Sequence, residues 1–165
     1  MARNLIEFVR RKAVQRFEMN IKGTHGLKHW ERVRENGIYL CKHSGGDQTV
    51  AEIFAYVHDC CREFDFGDPE HGLRASQFVE ELGRKTLKLD GDRFGQLKYA
   101  CEYHEKGLVS EDPTIGSCWD ADRLDLGRVG RRPNLRFLST PRARLESVID
   151  WAYMRSRGHK ARIKV

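Results

Sequence analysis

The stretch THGLKHWERVRENGIYLC, residues 24–41, decides the kind of fold this chain can adopt. His25, His29, Val33, Gly37 and Leu40 recur at steps of four, four, four and three, the period of one face of an α-helix. Thr24 is of the residue type that caps a helix N-terminus, so a helix is predicted from Thr24 to about Cys41. His29 then shares a face with core residues.

The same period runs outward in both directions. Leu5, Phe8, Val9, Lys12, Ala13 and Phe17 predict a first amphipathic helix over 4–19. After the break at His43 to Asp47, the segment Val50 to Val57 is apolar enough for a short helix or a buried strand, a choice that periodicity does not make. Residues 62–70 mix acids with Gly67 and Pro69 and predict a loop, the kind of segment that rims an active site. Helices are predicted from His71 to Leu82, from Asp92 to Glu105 with Phe94, Leu97, Cys101 and His104 on one stripe, over 117–126, and from Pro141 to about Arg155. The expectation is an all-α protein of six to eight helices, a single domain over 1–165 with a basic helical segment at about 126–165. No P-loop, dinucleotide-binding glycine pattern or nucleophile elbow occurs.

At 165 residues the chain can bury one core without disulfides or structural metals. Its 39% apolar and 33% charged residues fit amphipathic helices rather than disorder. No apolar run approaches the roughly 18 residues that span a bilayer, and the N-terminal stretch lacks the continuous apolar segment of a signal peptide, so no membrane contact and a cytoplasmic location are expected. Five cysteines, two of them adjacent (Cys60, Cys61) and none in C-x-x-C spacing, argue against a disulfide framework and for buried thiols, with a thiolate ligand at Cys60 or Cys61 as the lesser reading. Charge is uneven. Residues 126–165 hold eleven Lys/Arg against two Asp/Glu, whereas residues 1–125 hold nineteen against twenty-two. Such a segment is a solvated face or a surface for a phosphate-bearing partner.

The apolar run ends in Val57-His58-Asp59. With seven His and eleven Asp in the chain, about half of one His-Asp dipeptide is expected by chance, so its context carries the reading. That context is His29, His71, His104 and Asp122, spread as the ligands of a metal-dependent hydrolase would be.

The motifs HGLKHWERV (25–33), HDCCR (58–62), DPEHG (68–72), YHE (103–105) and DADRLD (120–125) together resemble, in order and spacing, those of the HD-domain metal-dependent phosphohydrolases. The match covers about 100 of 165 residues. The resemblance implies an HD-domain-like helical bundle and makes His29, His58, Asp59 and Asp122 the core metal ligands. Imidazoles and carboxylates suit one or two divalent ions such as Mn, Fe, Co, Ni or Zn, with positions left for water and a substrate oxygen. On a helix Asp120 and Asp122 point about 200° apart, so both cannot face one ion; Ala121-Asp122 matches the family's pair, leaving Asp120 and Asp125 as supporting partners or surface charges.

Family members with two metals carry further histidines at positions resembling His71 and His104, and Asp59 would then bridge the ions. Core or capping histidines are the competing reading for both. His25 reads as a supporting or substrate-facing group, and His43 and His159 as surface residues. Arg62, next to the motif, is placed to neutralise a phosphate, with Arg123 as a second candidate and Arg128, Arg131 and Arg132 as a possible extension for polyphosphate or nucleotide. Glu63, Asp65 and Asp68 are acids available to protonate a leaving group, with Glu63 taken as the catalytic one. The function so implied is hydrolysis of a small phosphoester, a nucleotide being the leading substrate. Two rivals stand beside it: a di-iron oxygenase on the same scaffold, and a non-catalytic metal protein whose basic segment binds nucleic acid.

Overall fold

Asp47 settles the segment left open between helix and strand, because its Oδ1 accepts from Val50 N at 2.9 Å and so starts a helix. In a computed structural model, which describes residues 2–163, the chain is all-helical. In order come α1 (Ala2–Arg16), α2 (Leu27–Ser44), α3 (Gln48–Val57), α4 (His71–Leu82), the four-residue α5 (Arg84–Leu87), α6 (Gly91–Tyr103), α7 (Pro113–Arg123) and α8 (Glu146–Ser156). Two 3-10 turns, Leu126–Val129 and Leu135–Phe137, lie between α7 and α8, and no strand occurs among the described residues. No described helix is long and apolar enough to cross a membrane.

α3 is the axle of the bundle. Every residue from Val50 to Val57 is buried, as a helix apolar on all sides requires, and α1, α2, α4, α6 and α7 pack around it. Ile53 and Phe54, fully removed from water, each contribute about 1.5–3 kcal/mol by that burial. The predicted stripes hold in most positions: Val33, Leu40 and His29 on α2, Leu97 and Cys101 on α6, and Leu5, Val9 and Ala13 on α1 are buried, whereas Phe8 and Phe94 are half-buried and Lys12 is exposed.

Several boundaries differ from the expected ones. α2 begins at Leu27 with Gly26 as its cap and no side-chain capping bond, so Thr24 does not cap it and His25 lies before the helix. Residues 20–26 form successive turns, and Gly26 approaches Ile21 so closely that a Cβ would stand 2.1 Å from Ile21 O. α7 starts earlier than predicted because Asp112 accepts from Thr114 N and Ile115 N while Pro113 takes the first turn. The last helix starts five residues after Pro141; Ala143 is buried and residues 141–144 run in turns. Among its described residues the basic segment therefore has α8 as its one α-helix, the rest being two 3-10 turns, other turns and irregular chain.

This packing gathers chosen helix ends at one place. His58 and His104 are the residues that end α3 and α6, Asp122 lies in the last turn of α7, His29 in the first turn of α2, and His71 opens α4. Gly72 makes the α4 and α6 meeting possible, since a Cβ there would lie 2.7 Å from Glu102 O and 2.8 Å from Cys101 O. Three helix C-termini, each carrying partial negative charge, thus face the spot where these side chains meet.

Candidate metal centre

Asp59 stands between two pairs of histidines, one on each carboxylate oxygen. Its Oδ2 lies 3.5 Å from His29 Nε2 and 3.8 Å from His58 Nε2, while Oδ1 lies 3.3 Å from His71 Nε2 and 3.7 Å from His104 Nε2. Within the pairs, Nε2 faces Nε2 at 3.1 Å (His29, His58) and 2.9 Å (His71, His104). Asp122 Oδ1 closes on the first pair, 3.4 Å from His29 Nε2 and 3.7 Å from His58 Nε2. All four rings and Asp59 are buried.

The other nitrogen of each ring explains why the Nε2 atoms converge. His58 Nδ1 donates to Phe54 O and Ala55 O, and His104 Nδ1 donates to Cys101 O at 2.6 Å, in both cases using carbonyls of the helix the histidine terminates. His71 Nδ1 donates to Asp68 O at 2.5 Å, and His29 Nδ1 to Asp125 Oδ2 at 2.7 Å. With Nδ1–H fixed, Nε2 presents its lone pair inward. Two lone pairs at about 3 Å repel unless a cation lies between them.

The donor set fits a metal. Ligand atoms about 2.1 Å from one ion at tetrahedral angles stand about 3.4 Å apart, close to the separations found here. His29, His58 and Asp59 form one group of donors that could hold an ion, and Asp59, His71 and His104 form a second. Asp122 Oδ1, buried beside the first group, has no hydrogen-bond partner, a costly position for a carboxylate oxygen that an ion relieves. Burial pulls the carboxyls of Asp59 and Asp122 up, yet the surrounding histidines hold both below the usual carboxylate range, with Arg128 adding to the effect on Asp122. Burial pushes His58 down to about 3, leaving it neutral, the form that could bind an ion.

The three aspartates of DADRLD divide their work. Asp122 faces the donors. Asp120 is turned the other way and accepts from Ser139 N, Thr140 N and Thr140 Oγ1 at 2.7–2.8 Å, tying the segment after the second 3-10 turn to α7. Asp125 takes the His29 proton on one oxygen and is clamped by Arg32, whose Nε and Nη2 donate at 2.6 and 3.0 Å.

A cleft of about 810 Å³ opens over the cluster, walled by His25, Asp59, Arg62, residues 65–69, His71, His104, Glu105, Asp122 and the 3-10 turn with Arg128. Phe66 stands in its rim, 82% exposed. The expected substrate residues separate here. His25 lines the cleft, with Nδ1 3.0 Å from Asp59 Oδ2 and Nε2 3.1 Å from Asp65 O. Arg62 also lines it, but its guanidinium is committed to Asp59 Oδ1 (2.9 Å), Phe64 O and Asp65 O, and lies 3.3 Å from His71 Nε2. Its position suits fastening the loop onto Asp59.

Arg123 is not in the wall. It is buried, stacks over Trp119 and donates to Phe137 O and His104 O, which makes it a strut behind His104. Glu63 is likewise outside, its exposed side chain 3.6 Å from Arg74, whereas Asp68 is buried in a bidentate pair with Arg74. Besides Asp59 and Asp122, the acids that line the cleft are Asp65, Asp68 and Glu105, the last with Oε2 3.2 Å from His71 Nδ1. Glu105 was visible in the YHE motif but carries no distinguishing local signal. Cys60 and Cys61 are buried beside each other and belong to neither donor group, and His43 and His159 are exposed away from the site. Compared with protein-family models, curated proteins and solved structures, the chain finds no match.

Proposed function

We propose that this chain is a metal-dependent phosphohydrolase of the HD-domain type, acting on a small phosphoester, with a nucleotide as the leading substrate. The observation that carries the reading is the set of four histidines, each with Nδ1 tied and Nε2 aimed at a shared Asp59, under an open cleft that also holds cations. His29, His58, Asp59 and Asp122 would hold one divalent ion, and Asp59, His71 and His104 a second. Ions of the Mn, Fe, Co, Ni or Zn class supply Lewis acidity toward a phosphoryl oxygen and lower the pKa of a water to the range where it attacks at neutral pH.

The chain's own residues do the rest. Asp125 and the carbonyls of Phe54, Asp68 and Cys101 hold the imidazoles in the tautomer that binds an ion. His25 and Arg62 keep the two oxygens of Asp59 apart, one toward each histidine pair. With Asp68 held by Arg74, Asp65 and Glu105 are the cleft acids left to give a proton to a departing alkoxide. Loop 62–70 covers one side, keeping water from the charged groups beneath it.

Oxygen chemistry on two irons uses the same donors and is the second reading, favoured only by the His71 and His104 pair. Nucleic-acid binding by the basic segment ranks lower, because Arg132 pairs with Glu146 and Asp150, Arg142 with Tyr39, and Arg155 with Asn36 and Glu35. The deciding experiment is a screen of the purified protein against nucleotides and generic phosphoesters with each divalent metal. Metal-dependent release of phosphate is expected; oxygen consumption with a mixed-valence iron signal and no ester turnover would displace the proposal.

A further inference from the structure

We infer that Arg128, on the 3-10 turn after α7, is the group that binds the substrate's oxyanion beside the metal cluster, in place of the Arg62 adjacent to the His-Asp pair. The inference rests on the phosphohydrolase reading for the identity of the oxyanion, but its geometry is independent of turnover. Arg128 is a cation whose side chain is only 9% exposed, and its ion pairs are loose: Nη1 lies 4.0 Å from Asp125 Oδ2 and Nη2 is no closer than 3.7 Å to Asp122. Its Nη2 stands 3.7 Å from Asp122 Oδ1, beyond hydrogen-bond reach, although Asp122 is the nearest acid and its Oδ1 has no other partner.

One corner of the guanidinium is anchored, with Nη1 donating to Asp125 O at 3.1 Å. Nε has no partner at all. A buried guanidinium with an unmatched N–H is costly unless something completes it, and a planar fork of donors matches the oxygens of a phosphate. Arg128 also lines the cleft, so a ligand entering there meets the guanidinium.

Arg62 lacks that freedom. Its Nε and Nη1 already donate within the chain and Nη2 abuts His71, so a phosphate would have to break the bracket that holds Asp59 and the loop. The two arginines therefore differ in role: Arg62 positions Asp59, and Arg128 receives the anion. Arg131 extends the same edge toward the mouth of the cleft, where a second charged group of a longer substrate would meet it.

The test is calorimetric titration of inorganic phosphate into the metal-loaded protein, comparing wild type with Arg128→Gln and Arg128→Lys, with metal content and helical content measured on the same samples. Phosphate binding is expected to weaken by about 10- to 100-fold in Arg128→Gln, as loss of a charge-assisted contact does, and to recover in part in Arg128→Lys, with bound metal unchanged. Phosphate affinity equal to wild type in Arg128→Gln overturns the inference, as does a wild type that binds no phosphate. Loss of metal from both variants also overturns it, assigning Arg128 to support of Asp122. A wild type that binds phosphate through Arg128 but hydrolyses no ester removes the proposed function and leaves this assignment standing.

Discussion

His71 Nε2 and His104 Nε2 face each other at 2.9 Å, and the Nδ1 of each ring already donates to a backbone carbonyl. His29 and His58 repeat the arrangement on the other side of Asp59. A cation has to sit within each pair, and for each the choices are a proton or a metal ion. That competition sets how the site responds to pH.

Burial lowers the pKa of His29 and His71, and Arg128 and Arg62 reinforce it, but Asp125 and Asp59 at His29, and Asp59 at His71, outweigh both effects. Each ring therefore holds its proton above the ordinary value of 6.5. An ion entering chelated protein near neutral pH must displace these protons, so apparent metal affinity rises with pH through the region above 6.5 and levels once both rings are neutral. Titrations in two buffers of different protonation enthalpy should give different apparent heats. Identical heats would show that no proton leaves.

Asp120 and Asp122, two residues apart, should separate folding from metal binding. Asp120→Ala strands Ser139 N and Thr140 N in a buried setting and is expected to cost roughly 2–4 kcal/mol, lowering the melting temperature by about 5–15 °C with metal content retained. Asp122→Ala removes an oxygen with no hydrogen-bond partner, only longer contacts to His29, His58 and Arg128, so it should cost the metal-free fold less than Asp120→Ala while metal affinity falls. Thermal melts and metal analysis of the two variants check the contrast; the reverse pattern would exchange their roles.

Asp125 would act one hydrogen bond removed from a bound ion, through His29. Asp125→Ala frees His29 Nδ1 and releases Arg32, so metal affinity should drop by about 10- to 100-fold while helical content persists. Competition with a chromogenic chelator measures this, and an unchanged affinity would show that the His29 tautomer is held by something else.

Much of the site was legible in the sequence because its ligands sit at helix ends on core-facing stripes. The inward faces of His29 and His104 followed from the helical period, which also kept Asp120 and Asp122 from sharing one ion, while the choice of Asp122 and the reading of His58 and Asp59 came from the motifs that resemble the HD-domain family. Side-chain direction outside that period was not legible. Arg123 and Glu63 neighbour the right residues along the chain, but one points behind His104 and the other toward Arg74, a matter of tertiary packing. Arg128, expected from the sequence with Arg131 and Arg132 to extend the phosphate cradle, does line the cleft, whereas Glu105 reaches it through the chain just after α6. The start of α7 was a signal overlooked, since Asp112-Pro113 is a cap followed by a first-turn proline. Gly26 was the opposite case: Thr24 offers the better capping side chain, and only the close approach to Ile21 selects the glycine.

The most direct test of the bridged centre is metal quantification on wild type, His104→Ala and Asp59→Ala, with helical content recorded for each. Two ions per chain are predicted for wild type, one for His104→Ala, and little bound metal with no phosphoester hydrolysis for Asp59→Ala, all at near-native helicity. Equal metal content in wild type and His104→Ala, or full activity in Asp59→Ala, would contradict the account.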